Sequence, residues 1–343
     1  IIQRGTINMS SLISKDPESD LLSLISCPNG RSKHNIWEQY DSMVQLHTIE
    51  GPGAPAAVVE VPQTERACLL TMEAEPNKCW TDPYMGASET MALSLRGLWV
   101  AGAEVLGMTN CLNFASPETP EKFYELEQCI KGLADTCRDL DCPVVSGNVS
   151  LYNETASGQI YPTPLVVTAG LLVNRNRRLE SGNAQTGDIL YVVGDICGSL
   201  GASRYQVMKN GRPLGKTVGP DHDKETAFRE RAMKTASSGA ASSGRVVAGG
   251  GLAIAIANEA IASDRGINVD ISLSLSAEEL LFSEGGARAI YAVPKEKANS
   301  FEKIWDGYAC TKIGTVGGDK FEWKDMFSLD LSKLKKVFTE GGF

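Results

Sequence analysis

Two stretches of the chain gather side-chain amides and hydroxyls next to a glycine: Thr109-Asn-Cys-Leu-Asn-Phe114 and Ser146-Gly-Asn-Val-Ser-Leu-Tyr-Asn-Glu-Thr155. The sequence predicts both at strand ends, where α/β proteins commonly bind ligands. Gly147 would let backbone approach a phosphate. Asn148 offers a hard neutral oxygen of the kind Mg2+ accepts alongside phosphate oxygens. The same residue types also satisfy turn hydrogen bonds, and spacing alone favours that plainer role. A third stretch, Gly194-Asp-Ile-Cys-Gly-Ser-Leu-Gly201, resembles a phosphate loop but lacks the Gly-Lys-Ser/Thr ending, so it reads as a strand-to-helix turn. His34, His47 and His222 have no metal-ligand spacing, and Asp221-His-Asp223 reads as a helix start. No Ser/His/Asp or Cys/His arrangement stands out, so no catalytic residue is singled out.

The elements that must carry these residues follow from periodicity and punctuation. Residues 1–50 are polar and irregular, with a short helix expected over 32–40 that packs Ile36, Trp37 and Tyr40. Ala57-Val-Val-Glu-Val61 and Cys68-Leu-Leu-Thr-Met72 read as strands, followed by a helix over 86–101 ending near Gly102 and a strand around Val105–Met108. The best-specified helix runs from 120 to 139, with Thr119 as N-cap and Pro120 at its first position. Phe123, Leu126, Ile130, Leu133 and Cys137 recur along it at spacings of three and four, so it is expected to lie against a sheet. Strands at 142–146 and 160–168 close this alternating first unit, and the polar turns at 174–183 mark a boundary. Beyond it, a strand at 188–193, helices at 223–237 and 252–261, and strands at 267–272, 288–293 and 310–316 give an α+β pattern.

Bulk properties narrow the function. A length of 343 residues is a prior for two domains, and 42% hydrophobic with 22% charged residues is ordinary globular composition. The net charge of -9 and pI of 5.1 argue against a nucleic-acid partner, which calls for a concentrated basic face. No apolar run approaches membrane-spanning length. Nine scattered cysteines without a Cys-x-x-Cys pair read as reduced thiols of a cytoplasmic protein. Asn148-Val-Ser150 and Asn153-Glu-Thr155 match the glycosylation pattern, but without a signal peptide they are not read as glycan sites. The start Ile1-Ile-Gln-Arg4, lacking Met, reads as the trimmed start of a longer protein.

The two polar strings, together with Trp37-Glu-Gln-Tyr-Asp-Ser-Met-Val44, Asp82-Pro-Tyr84, Tyr161-Pro-Thr-Pro164 and Leu281-Phe-Ser-Glu284, closely resemble the second half of the formylglycinamidine ribonucleotide synthetase family, within the aminoimidazole ribonucleotide synthetase superfamily. The resemblance covers about residues 20–320 and implies an α+β fold. It predicts an extension at 1–49, an A domain at 50–173 lending strands to a shared β-barrel, an α/β B domain at 188–320, and a tail at 321–343.

In function, the resemblance implies ATP-dependent amidation of formylglycinamide ribonucleotide with glutamine-derived ammonia, using ATP and Mg2+. Gly147 is then expected to contact ATP, Asn148 to bind Mg2+, and Ser150 to touch the substrate, in a site completed by the first copy of the same two domains. Asn110 stands where the family has an Asp near ATP; it keeps an oxygen and loses the charge. The implied partners are the first half of the synthetase subunit, a glutaminase subunit and a small accessory subunit, with a homodimer as another way to bury the barrel face. Larger relatives also hold a non-catalytic nucleotide in the second copy's own cleft, but here Leu93, Gly97 and Val246 replace the expected oxygen ligands, so that cleft is expected to be structural. The rival readings are a catalytically inactive scaffold half and another ATP-binding member of the superfamily.

Overall fold

A computed structural model describes residues 5–271 and 273–341, so the Ile1–Arg4 start and Ser272 of the expected 267–272 strand lie outside the described residues. The first sheet is built from β1 (Thr48–Glu50), β2 (Ala57–Glu60), β3 (Ala67–Glu73), β4 (Glu104–Asn113), β5 (Val144–Ser150) and, after the small hairpin β6 (Glu154–Thr155) and β7 (Gly158–Gln159), β8 (Thr163–Leu172). Its order is β1-β2-β3-β8-β4-β5. Only β4 and β5 run parallel, and a parallel pair needs a crossover. The helix α5 described below supplies it. The sheet is open, with β1 and β5 as its two edges.

The helices of this half are α1 (Pro17–Ser26), α2 (His34–Trp37), α3 (Pro76–Thr81), α4 (Pro83–Ala101) and α5 (Pro120–Asp139). Helix α4 begins at Asp82, whose carboxylate accepts from the Met85 N–H at 3.0 Å, and ends at Gly102 in the left-handed region at φ +87°. It is buried nearly all round because it lies between two layers. One side packs on β3 and β8 and the other on an α-helix and a strand of the second half. Helix α5 starts as expected, with the Thr119 hydroxyl accepting from Lys122 N–H. Its packing differs from expectation: it lies on α4, and its buried face is Glu125, Cys129, Gly132, Leu133, Thr136 and Cys137. Phe123 and Ile130 are exposed. Gly132 explains the choice, since a Cβ there would sit 2.3 Å from the Tyr84 carbonyl oxygen; the two helices meet backbone to backbone.

The second sheet comprises β9 (Ile189–Val193), β10 (Ser243–Val246), β11 (Ile267–Val269), β12 (Ala289–Val293), β13 (Cys310–Val316), β14 (Lys320–Trp323) and β15 (Phe327–Asp330), in the order β10-β12-β9-β13-β11-β14-β15. Its helices are α6 (Arg204–Asn210), α7 (His222–Ser238), α8 (Gly251–Ser263), α9 (Ala277–Phe282), α10 (Ala298–Ile304) and α11 (Leu331–Glu340). The partners of α4 in this half are α7 and β10.

Two terminal segments depart from expectation. Residues 321–340, expected as a tail, form the end of β14, then β15 and α11, because Phe321, Trp323, Leu329, Leu331 and Leu334 are buried in the second core. In the extension, α1 buries Leu21, Leu22, Leu24 and Ile25 in that same core. The 32–40 helix shrinks to α2, with Ile36 and Tyr40 exposed. None of the α2 residues is buried, and Trp37 alone of the three apolar residues is half-buried.

Candidate functional site

The strings expected at strand ends lie mostly inside strands. Thr109–Asn113 is the second half of β4, and Ser146–Ser150 is most of β5. Asn, Ser and Gly are poor strand formers, and pairing overrides that preference. The parallel register sets Thr109 beside Ser146, Asn110 beside Gly147, Cys111 beside Asn148, and Asn113 beside Ser150. Because alternate residues point to opposite faces, the four candidates split into two pairs. Asn110 and Gly147 share the face that carries buried Met108 and Val166. Asn148 and Ser150 share the opposite face with Thr109, Cys111, Asn113 and Ser146. A ligand can reach both pairs only at the sheet's edge. β5 is that edge, and Val144–Val149 are exposed along it.

Each pair has its own local order. A Cβ on Gly147 would lie 2.5 Å from Asn110 Oδ1, so glycine is what lets the Asn110 amide lie flat across β5. On the other face Asn148 Nδ2 donates to Cys111 Sγ at 3.3 Å, and its Oδ1 accepts from no residue among those described. Thr109 Oγ1 donates to Ser146 Oγ at 3.2 Å. Asn153, within the string but given no role by the sequence, holds the turn that follows. Its Nδ2 donates to the carbonyls of Ser150 at 2.8 Å and Phe114 at 3.0 Å, tying the ends of β5 and β4 together beside Ser150. Ser150 Oγ lies 3.3 Å from Asn153 Oδ1.

The Mg2+ expectation can be tested on the donors themselves. No group of three or more His, Cys, Asp or Glu side chains able to hold a metal occurs among the described residues. What the edge offers is the single neutral oxygen of Asn148. That suits Mg2+, which takes one or two protein oxygens plus phosphates, only where phosphate and further ligands come from elsewhere.

The remaining candidates resolve as packing. In the Gly194–Gly201 loop, a Cβ on Gly194, Gly198 or Gly201 would meet the carbonyl oxygen of Ala287, Glu284 or Lys216 at 2.1–2.2 Å, so these glycines permit close backbone approach. His222 sits at the start of α7, with Nδ1 2.6 Å from Asp139 Oδ2. All nine cysteines are free.

Sequence reasoning did not find two buried charge clusters. In one, Arg96 of α4 donates to both Glu89 carboxylate oxygens at 2.8 and 3.0 Å and to Glu225 of α7, and all three side chains are at most 1% exposed. In the other, Lys78 bridges Glu75 at 3.0 Å and Glu284 at 3.3 Å. Glu284 Oε1 also accepts from the N–H groups of Arg204 and Gly250, both at 2.7 Å. These partners lie up to 206 positions apart in sequence, so no local pattern could reveal them. The cleft named from Leu93, Gly97 and Val246 is present as a cavity: the three residues line it together between α4 and β10.

Comparison with known proteins follows the same outline. The family described as AIR synthase related protein, N-terminal domain, matches residues 53–172, and its C-terminal domain matches residues 185–324. The chain is 35% identical over 329 residues to the phosphoribosylformylglycinamidine synthase subunit PurL of Moorella thermoacetica, covering 93% of this chain and 44% of that protein. It is 36% identical over 308 residues to the PurL subunit of a Thermoanaerobacter species, covering 89% and 42%. The chain thus spans less than half the length of these curated relatives. Among solved structures, Thermotoga maritima PurL complexed with FGAR superposes with a TM-score of 0.75 at 17% identity, over 94% of this chain and 54% of that one. The PurLQS structure from the same organism gives 0.70 at 15%, over 95% and 52%. At such identities the structural likeness shows the fold.

Proposed function

The chain belongs to the AIR synthase related proteins, and from that premise we propose that it is the second half of an ATP-dependent carbon–nitrogen ligase, phosphoribosylformylglycinamidine synthase. In this reading the amide oxygen of formylglycinamide ribonucleotide is phosphorylated by ATP, and ammonia released by a glutaminase subunit displaces the phosphate to leave the amidine. The observation that carries the proposal is the polar edge formed by β4 and β5. It presents amides, hydroxyls and a glycine, with no general base, at an edge strand. Phosphoryl transfer needs positioned donors and charge neutralisation more than a catalytic base, so such an edge can contribute half of a site without holding a complete one.

Residue roles follow. Gly147 and Asn110 lie against ATP, Asn148 gives its free Oδ1 to Mg2+ held chiefly by phosphate, and Ser150, steadied by Asn153, meets the substrate. The segments 50–173 and 188–320 act as the A and B domains. Beyond the edge, the face of the first sheet away from α4 carries exposed Leu70 and Met72, which the first half of the synthetase covers on pairing. The glutaminase and small accessory subunits complete the assembly, by analogy with the solved PurLQS complex of Thermotoga maritima. A cytoplasmic setting suits nine free thiols.

Mixing the chain with a matching first half, ATP, Mg2+, ammonium and the ribonucleotide tests the reading. Amidine should form only when both halves are present, and Asn148→Ala should raise the Mg2+ concentration needed for half-maximal rate more than Asn110→Asp does. Turnover by the chain alone would overturn the half-site reading. The inactive-scaffold reading has one specific observation in its favour, the apolar cavity at Leu93, Gly97 and Val246. It predicts that Asn148→Ala leaves the mixture's rate unchanged.

A further inference from the structure

The cavity at Leu93 and Val246 has a chemistry of its own. It lies between the first sheet, α4, β10 and α8, and has a volume of about 160 Å³. Its walls are mostly aliphatic: Leu69, Leu93, Val100, Leu179, Val246 and Ile254. A lined apolar cavity near 150 Å³ holds a molecule the size of benzene. A nucleoside triphosphate is far too large for it. The cations on its lining are already neutralised: Arg178 pairs with Glu50 at 3.0 Å and with Glu180 at 2.8 Å, and Arg245 pairs with Glu259 at 3.2 Å. Neither of these two cations is free to receive a phosphate.

One charged group on the lining is unmatched. Glu73, the last residue of β3, lines the cavity and has no hydrogen-bond or ion-pair partner among the described residues. The neighbouring Thr71 hydroxyl, by contrast, is engaged by Ser94 and Thr168. A carboxyl left unpaired beside apolar walls is costly, and a ligand cation would relieve that cost. We propose that this cavity binds a small ring-sized amine, its apolar body against Leu93, Val246 and Ile254 and its ammonium group on the Glu73 carboxylate. Burial and the nearby Glu75 push the Glu73 carboxyl up to about 7, while Arg204, Lys78 and Arg96 pull it down. Glu50, Arg178 and Arg245 also face the cavity, in the pairs described above. At pH 8 the carboxylate is therefore the main form, ready for a cation. The proposal is independent of the ligase reading, since the cavity is separate from the β4–β5 edge.

Benzylamine and its neutral isostere benzyl alcohol are the probes, titrated calorimetrically into the whole chain at pH 8. Benzylamine should bind at one site, with benzyl alcohol roughly tenfold weaker or more, the difference expected of a charge-assisted hydrogen bond. Glu73→Gln should bring benzylamine down to the level of benzyl alcohol. Val246→Trp should abolish binding of both by filling the cavity, with circular dichroism and a cooperative melt showing that the fold is kept. The inference is overturned if the folded wild-type chain does not bind benzylamine, if both probes bind equally, or if Glu73→Gln leaves the preference intact.

Discussion

Replacing Arg96 by Leu removes the centre of the buried Glu89–Arg96–Glu225 cluster, and the size of the effect follows from its geometry. The guanidinium donates to both oxygens of each carboxylate, and the three side chains are 0%, 1% and 0% exposed for Arg96, Glu89 and Glu225. Without the cation, two carboxylates stay buried and unpaired. Breaking a buried pair in this way costs about 3–5 kcal/mol, which for a chain this long lowers the melting temperature by roughly 4–7 °C. The deficit should depend on pH. Even beside the arginine, burial holds the Glu225 carboxyl above the ordinary carboxylate range. In Arg96→Leu the Glu225 carboxyl loses the cation that pulls it down and shifts further upward, so the folded state binds its proton more tightly than the unfolded one. Stability is then retained below the ordinary carboxylate range and lost as pH rises through the raised folded-state value. Urea unfolding at pH 5 and pH 8 should show the larger deficit at pH 8. The triple variant E89Q/R96M/E225Q should recover most of the loss, since a buried ion cluster exchanged for uncharged groups is often close to neutral. A loss under about 1 kcal/mol for Arg96→Leu at pH 8, or a triple variant as unstable as the single, would refute the reasoning.

Other expectations can be checked separately. Glu73→Gln should leave stability unchanged near pH 4 and raise it by about 1–2 kcal/mol at pH 8, because a partly buried carboxyl raised to about 7 penalises the fold increasingly as pH climbs from the ordinary carboxylate range through that value; equal effects at both pH values would contradict this. Gly132→Ala should destabilise by about 2 kcal/mol or more in urea unfolding, since its methyl would press on the Tyr84 carbonyl where α4 and α5 touch. Gly147→Ala should displace the Asn110 amide and lower the rate of the reconstituted enzyme, while leaving the melting temperature within about 2 °C, because β5 is exposed. Light scattering of the pure chain at micromolar concentration should show a dimer that covers Leu70 and Met72; a stable monomer would count against pairing through the first sheet.

What the sequence revealed and what it hid divide along a physical line. Local chemistry was legible: Thr119 and Pro120 fixed the start of α5, and Gly102 marked the end of α4, because caps are made by neighbours in sequence. Packing partners were not. The spacing of Phe123, Leu126 and Ile130 announces an apolar face without saying what meets it, and Gly132 turned the helix toward α4 instead of a sheet. Polar strings such as Ser146–Ser150 read as turns by propensity, whereas strand pairing with β4 decided otherwise. That the candidates fall on two faces is a matter of register, which only the paired structure displays. The tail misreading has a similar origin, since Phe321, Trp323 and Leu334 look apolar in isolation and acquire a place only beside α1 and α8.

That arrangement of the ends bears on how this protein can be cut for study. The main-chain N–H of Ser32 bonds to the Phe338 carbonyl at 2.9 Å, Lys333 reaches Glu18 at 2.8 Å, and α1 rests directly on α11. A recombinant piece trimmed to the matched segment 185–324 would carry neither helix and would lose β15 as well, stripping the cover from the apolar faces of α6 and α8. Such a piece should precipitate on expression. One that keeps residues 5–31 in trans, as a synthetic peptide, should be rescued into solution only if it also extends through residue 340, because each end helix is the other's floor.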